Sequence, residues 1–319
     1  MTRYDRQTRL PEIGPDGQDR LRKAHVLVAG AGGLAAPLLP LLAGAGIGRI
    51  TLFDGDVVEA HNLHRQTLFR MTDIGTPKVS SAARELTALN PECRIVARAE
   101  HMTPANARTA IEGVDLVIDA ADRFTLTYLL SDLCHAAGLP MISASVLGRR
   151  GHVGGFCGAA PSYRAIFPDL PGGAQSCATA GVMGPAVAVM GSLQAQMAMA
   201  VLLGLKPSPL GLMMTVDLAD WQVTRFRFDS APEPTGRHPV LLSRLDLRTD
   251  DEVIDLRDIA EAPVMAVPQA IRLAPEDVAG LIPQGRRTIF ACATGLRAWA
   301  AARKLTDRGL RAAVLVDGD

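Results

Sequence analysis

The segment Gly30-Ala31-Gly32-Gly33-Leu34-Ala35 constrains this chain most, because it follows an apolar run, HVLVAG (25–30), and opens a helical one. Glycines at a strand-to-helix turn allow a tight reversal and let backbone N–H groups approach a phosphate at the positive helix end. Further strand candidates lie at 49–54 (RITLFD), 93–98 (CRIVAR), 116–120 (LVIDA) and 140–145 (PMISAS). Over 77–90, Val79, Ala82, Ala83, Leu86 and Leu89 recur on one helical face, and Pro77 suits the first turn. Strands alternating with helices predict βαβ units in an α/β, doubly wound, Rossmann-like, mostly parallel sheet. The run 214–228 alternates apolar with polar and is expected to be a longer strand extending that sheet antiparallel. Ala35 in place of a third glycine is tolerable, whereas Pro40 should kink the helix it enters.

Residues 229–239 (DSAPEPTGRHP) hold three prolines and no apolar period, which marks a linker. The expected organisation is a nucleotide-binding unit over 1–228, a linker over 229–247 and a small α/β unit over 248–319. The last contains strands at 253–258, 288–293 and 312–318 and a helix at 296–308. Its size is marginal for an independent core. Thirty-three basic residues balance thirty-three acidic ones, which removes the electrostatic case for nucleic acid or an anionic membrane as partner. Five scattered cysteines argue against a disulfide scaffold, and the polar start, MTRYDRQTRLPEIG, has no apolar leader, so a cytoplasmic location is expected. Residues 181–205 are apolar enough to span a bilayer, yet carry Gln194 and Gln196 and lack basic flanks. They are expected to form a helix buried in the core or in a subunit interface.

Asp54 stands 24 residues after Gly30, where a carboxylate can take ribose hydroxyls. That spacing alone also fits a nicotinamide-dependent dehydrogenase. The next residues, DGDVVEAHNLHRQ (54–66) and IGTPK (74–78), closely resemble the ATP-binding region of the MoeB/ThiF/HesA family, bacterial relatives of ubiquitin-activating enzymes. RYDRQTRLPEIGPDGQDRL (3–21), QSCATAGVMGP (175–185) and GSLQAQMA (191–198) extend the resemblance over about 3–228. It implies an adenylyltransferase binding ATP through Gly30, Gly32, Gly33 and Asp54, with Lys78 over the phosphates. Arg6, Asn62 and Gln66 match polar contacts around the nucleotide. Arg65 matches a phosphate-contacting arginine expected to reach in from the other subunit of a homodimer. Asp122 matches the aspartate that handles Mg²⁺ and the reacting phosphate; its residue-level alternative is a helix N-cap. Arg123 follows where the family commonly has Asn.

The family often carries two C-x-x-C pairs that bind structural zinc; here Ser162 and Ala165 occupy the first pair's region and no C-x-x-C occurs, so no zinc site is expected. Cys177 matches the cysteine of a crossover loop that in some members bonds to the carrier, and could instead be a bystander thiol. Cys93, Cys134 and Cys157 sit in apolar segments and read as buried hydrophobes. Cys292-Ala293-Thr294-Gly295-Leu296-Arg297 resembles the active loop of rhodanese domains, and VIDLRD (253–258) resembles their D-V-R strand, in an abridged rhodanese-like domain. Backbone N–H groups there would stabilise a thiolate or persulfide at Cys292; a decayed structural remnant is the other reading.

The resemblance implies ATP- and Mg²⁺-dependent adenylation of the C-terminal glycine carboxylate of a ubiquitin-fold sulfur carrier, ThiS- or MoaD-like. Sulfur transfer to a thiocarboxylate would follow, for thiamine or molybdopterin synthesis, with a cysteine desulfurase as possible donor. A non-catalytic carrier-binding paralogue is the other implied outcome.

Overall fold

The computed structural model describes residues 3–170, 181–281 and 285–316. Strands β1 (His25–Ala29), β2 (Arg49–Phe53), β3 (Arg94–Arg98), β4 (Leu116–Asp119) and β5 (Pro140–Leu147) pair in parallel in the order β3-β2-β1-β4-β5. The winding reverses between β1 and β4, which opens a ligand crevice beyond their C-terminal ends. Three antiparallel strands complete the eight-stranded sheet: β6 (Arg150–Cys157), β7 (Leu212–Asp217) and β8 (Gln222–Arg227). The run 214–228 is thus part of a hairpin. Asp217 Oδ1 accepts from the Ala219 N–H, and Trp221 turns the chain with φ +56°, so alternation alone hid the reversal.

Alternate residues of the central strands face opposite layers, as a sheet covered on both sides requires. Val26, Val28, Ile50, Leu52 and Ile118 pack under helices α3 (Ala35–Ala45), α4 (Lys78–Leu89) and α8 (Gly184–Leu203). Pro40 stands inside α3. The helix α8 is long and apolar enough to cross a bilayer, and half of it is buried, against α3, β5 and β6. Leu27, Ala29, Val117 and Met141 face the other layer, with α5 (Pro104–Ala110) and α6 (Phe124–Ala137). Near the N-terminus lie α1 (Asp5–Thr8) and α2 (Gly14–Lys23).

The C-terminal unit is a five-stranded, wholly parallel sheet ordered β11-β10-β12-β13-β9. Its strands are β9 (Val240–Leu242), β10 (Glu252–Asp255), β11 (Ile271–Arg272), β12 (Thr288–Ala291) and β13 (Ala312–Leu315), with helix α9 (Leu296–Asp307). The stretch 229–247 is therefore not wholly a linker, since β9 lies in it and pairs with β13. Ile254, Phe290, Trp299, Leu305 and Val314 share one core with Tyr128, Phe156 and Tyr163 of the larger unit. That shared burial explains how so short a unit holds together.

Ser162, at a position where the resemblance would place a zinc thiolate, is tied down by Glu233: its N–H donates at 2.7 Å and its hydroxyl at 2.6 Å. On α7 (Tyr163–Ile166), Arg164 forms a two-pronged pair with Asp132 at 2.6 and 2.9 Å. Its guanidinium lies 4.6 Å from the Tyr128 ring and 4.9 Å from that of Trp299. Hydrogen bonds and cation–π stacking link this end of the sheet to the C-terminal unit.

Candidate active site

The glycine turn lies at the winding reversal. Gly30 follows β1 with φ +98°, and a Cβ there would stand 2.8 Å from the Ala120 carbonyl oxygen at the end of β4. Only glycine meets both constraints. Gly33 is hemmed in differently, since a Cβ would stand 2.7 Å from Val187 of α8. A Cβ on Gly32 would meet only Gln66 Nε2, at 3.8 Å, so Gly32 is the position kept open toward a ligand. No described backbone hydrogen bond takes the N–H groups of Gly32, Gly33 and Leu34. Free donors at the start of α3, with its dipole behind them, are what a phosphate chain requires.

Asp54 closes the turn. Its Oδ2 accepts from the Ala31 N–H at 2.7 Å and its Oδ1 from the Asp56 N–H at 2.8 Å. Burial pushes this carboxyl up, and Lys78 with the two N–H groups only partly offsets that. Both oxygens keep a lone pair for a ligand hydroxyl. Lys78 is buried at the start of α4, with Nζ held 2.6 Å from Asp56 Oδ2, a partner to which the sequence reading gave no role.

Asn62 and Gln66 are both buried. Asn62 Oδ1 accepts from Arg65 Nη2 at 3.1 Å, whereas Gln66 Oε1 is buried without a partner. A buried unpaired acceptor next to a glycine turn marks a place for a donor-bearing ligand. Within its own chain, the Arg65 side chain lies along the glycine turn, with Cγ 3.5 Å from the Cβ position of Gly33. The packing of Gly184 on the His64 carbonyl and the Asn62 contact fix it there.

Arg6 is not brought to this site within the chain. Its neighbours Tyr4 and Gln7 pack at Gly46 and Ala45, the far end of α3, and Arg6 itself is exposed. An 11-residue helix puts about 16 Å between the two ends.

Asp122 is exposed between β4 and α6. It is not the N-cap, a position that Arg123 occupies without a side-chain cap. Below it, Asp119 is fully buried and accepts from Thr127 at 2.7 Å, Ser143 at 2.8 Å and the Ala121 N–H at 3.3 Å. Burial raises this carboxyl to about 6. Gln194 of α8 donates to the Asp119 carbonyl at 2.7 Å, and its own Oε1 is buried without a partner. The sequence reading gave Asp119 and Gln194 no role, although an amide inside an apolar helix is a signal that it bonds something in the core.

Cys177 lies outside the described residues. Cys292 is half-buried, and the Ala298 N–H donates to its Sγ at 3.3 Å. Arg297 of this loop donates to the Leu256 carbonyl at 3.2 Å and pairs with Glu261. Cys93, Cys134 and Cys157 are buried free thiols, as their apolar surroundings predict.

A doubly wound sheet with a glycine turn, free helix-terminal donors and a clamped carboxylate defines a nucleotide-binding α/β protein. The pattern of the ThiF family matches residues 4–237, and the chain belongs to that family. It is 41% identical over 255 residues to the sulfur carrier protein adenylyltransferase of Thermus thermophilus, covering 75% of this chain and 94% of that one. The SAMP-activating enzyme E1 of Haloferax volcanii is 36% identical, with 74% and 86% covered. The Bos taurus adenylyltransferase and sulfurtransferase MOCS3 is 43% identical over 71% of this chain, which spans 51% of its length. Among solved structures, E. coli MccB with ATP superposes with a TM-score of 0.63 at 23% identity, covering 74% of each chain. That likeness concerns the fold.

Proposed function

We propose that this chain uses ATP to adenylate the C-terminal glycine carboxylate of a small ubiquitin-fold sulfur carrier, ThiS- or MoaD-like, and then passes it sulfur. The observation that carries the first step is the open position at Gly32, with free N–H groups of Gly32, Gly33 and Leu34 beside the unpaired Gln66 Oε1. The relatives' activities point the same way. A carboxylate oxygen of the carrier attacks the α-phosphorus, the bond to the β-phosphate oxygen breaks, and pyrophosphate leaves. Such transfers are accelerated chiefly by positioning and by neutralising developing charge. The helix donors and Arg65 hold the phosphates, Asp54 takes the ribose, and Lys78 moves from Asp56 toward the phosphates. Asp122 fits Mg²⁺, a hard ion usually held by one or two carboxylates plus phosphate oxygens, which when bound neutralises phosphate charge. Arg6 acts in a homodimer, where the partner subunit's Arg6 supplies the cation that the chain's own copy stands too far away to give. Exposed Met183 just before α8, Val189 on α8 and Leu41 on α3 give such a dimer apolar surface.

Cys292, in a rhodanese-like unit, carries the sulfur as a persulfide donated by a cysteine desulfurase or thiosulfate. Free thiols suit a reducing, cytoplasmic setting. The product serves thiamine or molybdopterin synthesis. The test is carrier-dependent ATP–pyrophosphate exchange with Mg²⁺. Wild type exchanges, and Asp122→Ala lowers the rate at least about 100-fold, as loss of a transition-state electrostatic group does. Exchange at full rate in Asp122→Ala would overturn that role; carrier binding without exchange would indicate a non-catalytic paralogue. In equilibrium dialysis, preference for NAD over ATP–Mg²⁺ would restore the dehydrogenase.

A further inference from the structure

The C-terminal unit is fixed against the larger one at a particular place. A side chain on Gly295, three residues after Cys292, would drive into the Cγ2 methyl of Thr125. Thr125 lies in the first turn of α6, three residues after Asp122, and is 1% exposed. One turn further along each helix, Trp299 lies 5.9 Å from Tyr128, ring centre to ring centre, and is 2% exposed. Arg303 reaches Asp169 at 3.5 Å and His238 at 3.0 Å. The Gly295–Thr125 and Trp299–Tyr128 contacts are buried and interdigitated, unlike those of a unit swinging on a linker.

The two loops therefore open side by side. Asp122 follows β4 and Cys292 follows β12, and their helices α6 and α9 begin in contact. Three residues span at most about 11 Å, so the two sites lie within about 30 Å along this path. An extended peptide of eight to nine residues covers that distance at about 3.4 Å per residue.

From this geometry we propose that Cys292 serves the adenylation site of its own protomer, so that sulfur transfer runs within one chain. The inference rests on the proposed adenylation and sulfur transfer and adds which two sites cooperate. The Cys292 thiolate takes the outer sulfur of thiosulfate and releases sulfite. The terminal persulfide sulfur then attacks the acyl-adenylate carbonyl, the C–O bond to AMP breaks, and AMP leaves with the electron pair. A thiol reductant next attacks Cys292 Sγ and forms a disulfide with it, and the thiocarboxylate departs with the electrons of the broken S–S bond.

The test uses full-length chains with two affinity tags, so that mixed assemblies are purified, with thiosulfate, dithiothreitol, ATP–Mg²⁺ and the carrier. Thiocarboxylate is read by mass spectrometry and divided by each preparation's exchange rate. Wild type mixed with the Asp122→Ala, Cys292→Ala double variant should give about the wild-type yield per exchange event, since its one intact chain supplies both activities. Asp122→Ala mixed with Cys292→Ala should give less than about one-tenth of that control. Equal yields from the two mixtures would overturn transfer within the chain. Full yield from Cys292→Ala alone would instead remove Cys292 from the reaction and leave adenylation standing.

Discussion

The two sheets repeat one design with opposite electrostatics. In the larger sheet β1 ends at Ala29, runs into the glycine turn and is flanked by β4, where Asp119 stands opposite Ala29. In the smaller sheet β12 ends at Ala291, runs into the cysteine loop and is flanked by β10, where Asp255 stands opposite Ala291. Both aspartates are fully buried. Asp119 is held by two hydroxyls and an N–H, with no cation, and burial raises it to about 6. For Asp255 burial pushes the same way, but Arg257, donating at 2.9 and 2.7 Å, and two backbone N–H groups outweigh it and hold the carboxyl below its ordinary value. The helix ends differ too. The N–H groups of Gly32, Gly33 and Leu34 are free for a ligand, whereas in the second turn the protein's own sulfur takes the Ala298 N–H. The contrast separates a turn open to a polyanion from one already occupied by a nucleophile.

The largest expected effect tests whether the second turn depends on the first for its place. Trp299→Ala should cost roughly 3–5 kcal/mol, as loss of a buried indole does, measured by urea denaturation. Pyrophosphate exchange should stay within about twofold per folded molecule, because no adenylation residue is touched. Exchange lost in step with stability would show that the two turns are not separable.

Next comes the pair of aspartates. With Asp119 raised above its unfolded value near 3.9, the folded chain binds the proton more tightly than the unfolded one. Stability therefore falls as pH rises from about 4 to about 6 and then levels, by about 3 kcal/mol in all. Asp119→Asn should flatten this part of the profile in urea titrations. Asp255 has the opposite sign: its contribution is present above its unfolded value and is lost on acidification, so Asp255→Asn should remove stability at neutral pH. Identical profiles for the two variants would erase the contrast.

The smallest effect concerns ligand approach. Gly32→Ala meets no atom closer than 3.8 Å, so the melting temperature should hold. The KM for ATP should nonetheless rise about tenfold, equivalent to about 1.4 kcal/mol, because the turn can no longer approach the phosphates. Gly30→Ala should instead destabilise the fold through its positive φ and the Ala120 carbonyl. If both variants merely unfold, the open position is structural.

Much of this was written locally in the chain. Short, nearly continuous apolar runs in HVLVA and RITLF, period 3.6 over Val79–Leu89 and the glycines after β1 follow from backbone sterics and burial, so the strands, α4 and the glycine turn were legible from the residues themselves. Polar residue types at 54, 62, 66, 78 and 122 were legible through the family resemblance. What the sequence could not set was which ends meet. Arg65 at its own glycine turn and Arg6 at the far end of α3 are decided by helix packing over long sequence separation. For Asp119 the paired strand β5 brings the Ser143 hydroxyl from 24 residues away, whereas Asp255 meets its arginine, Arg257, only two residues along the chain. Likewise β9 and the Gly295–Thr125 contact arise because a small sheet must share its apolar face with a larger one. Local propensity fixes elements one stretch at a time, but which strands and helices lie against one another, and so which distant groups meet, is decided only by packing of apolar faces in the whole structure.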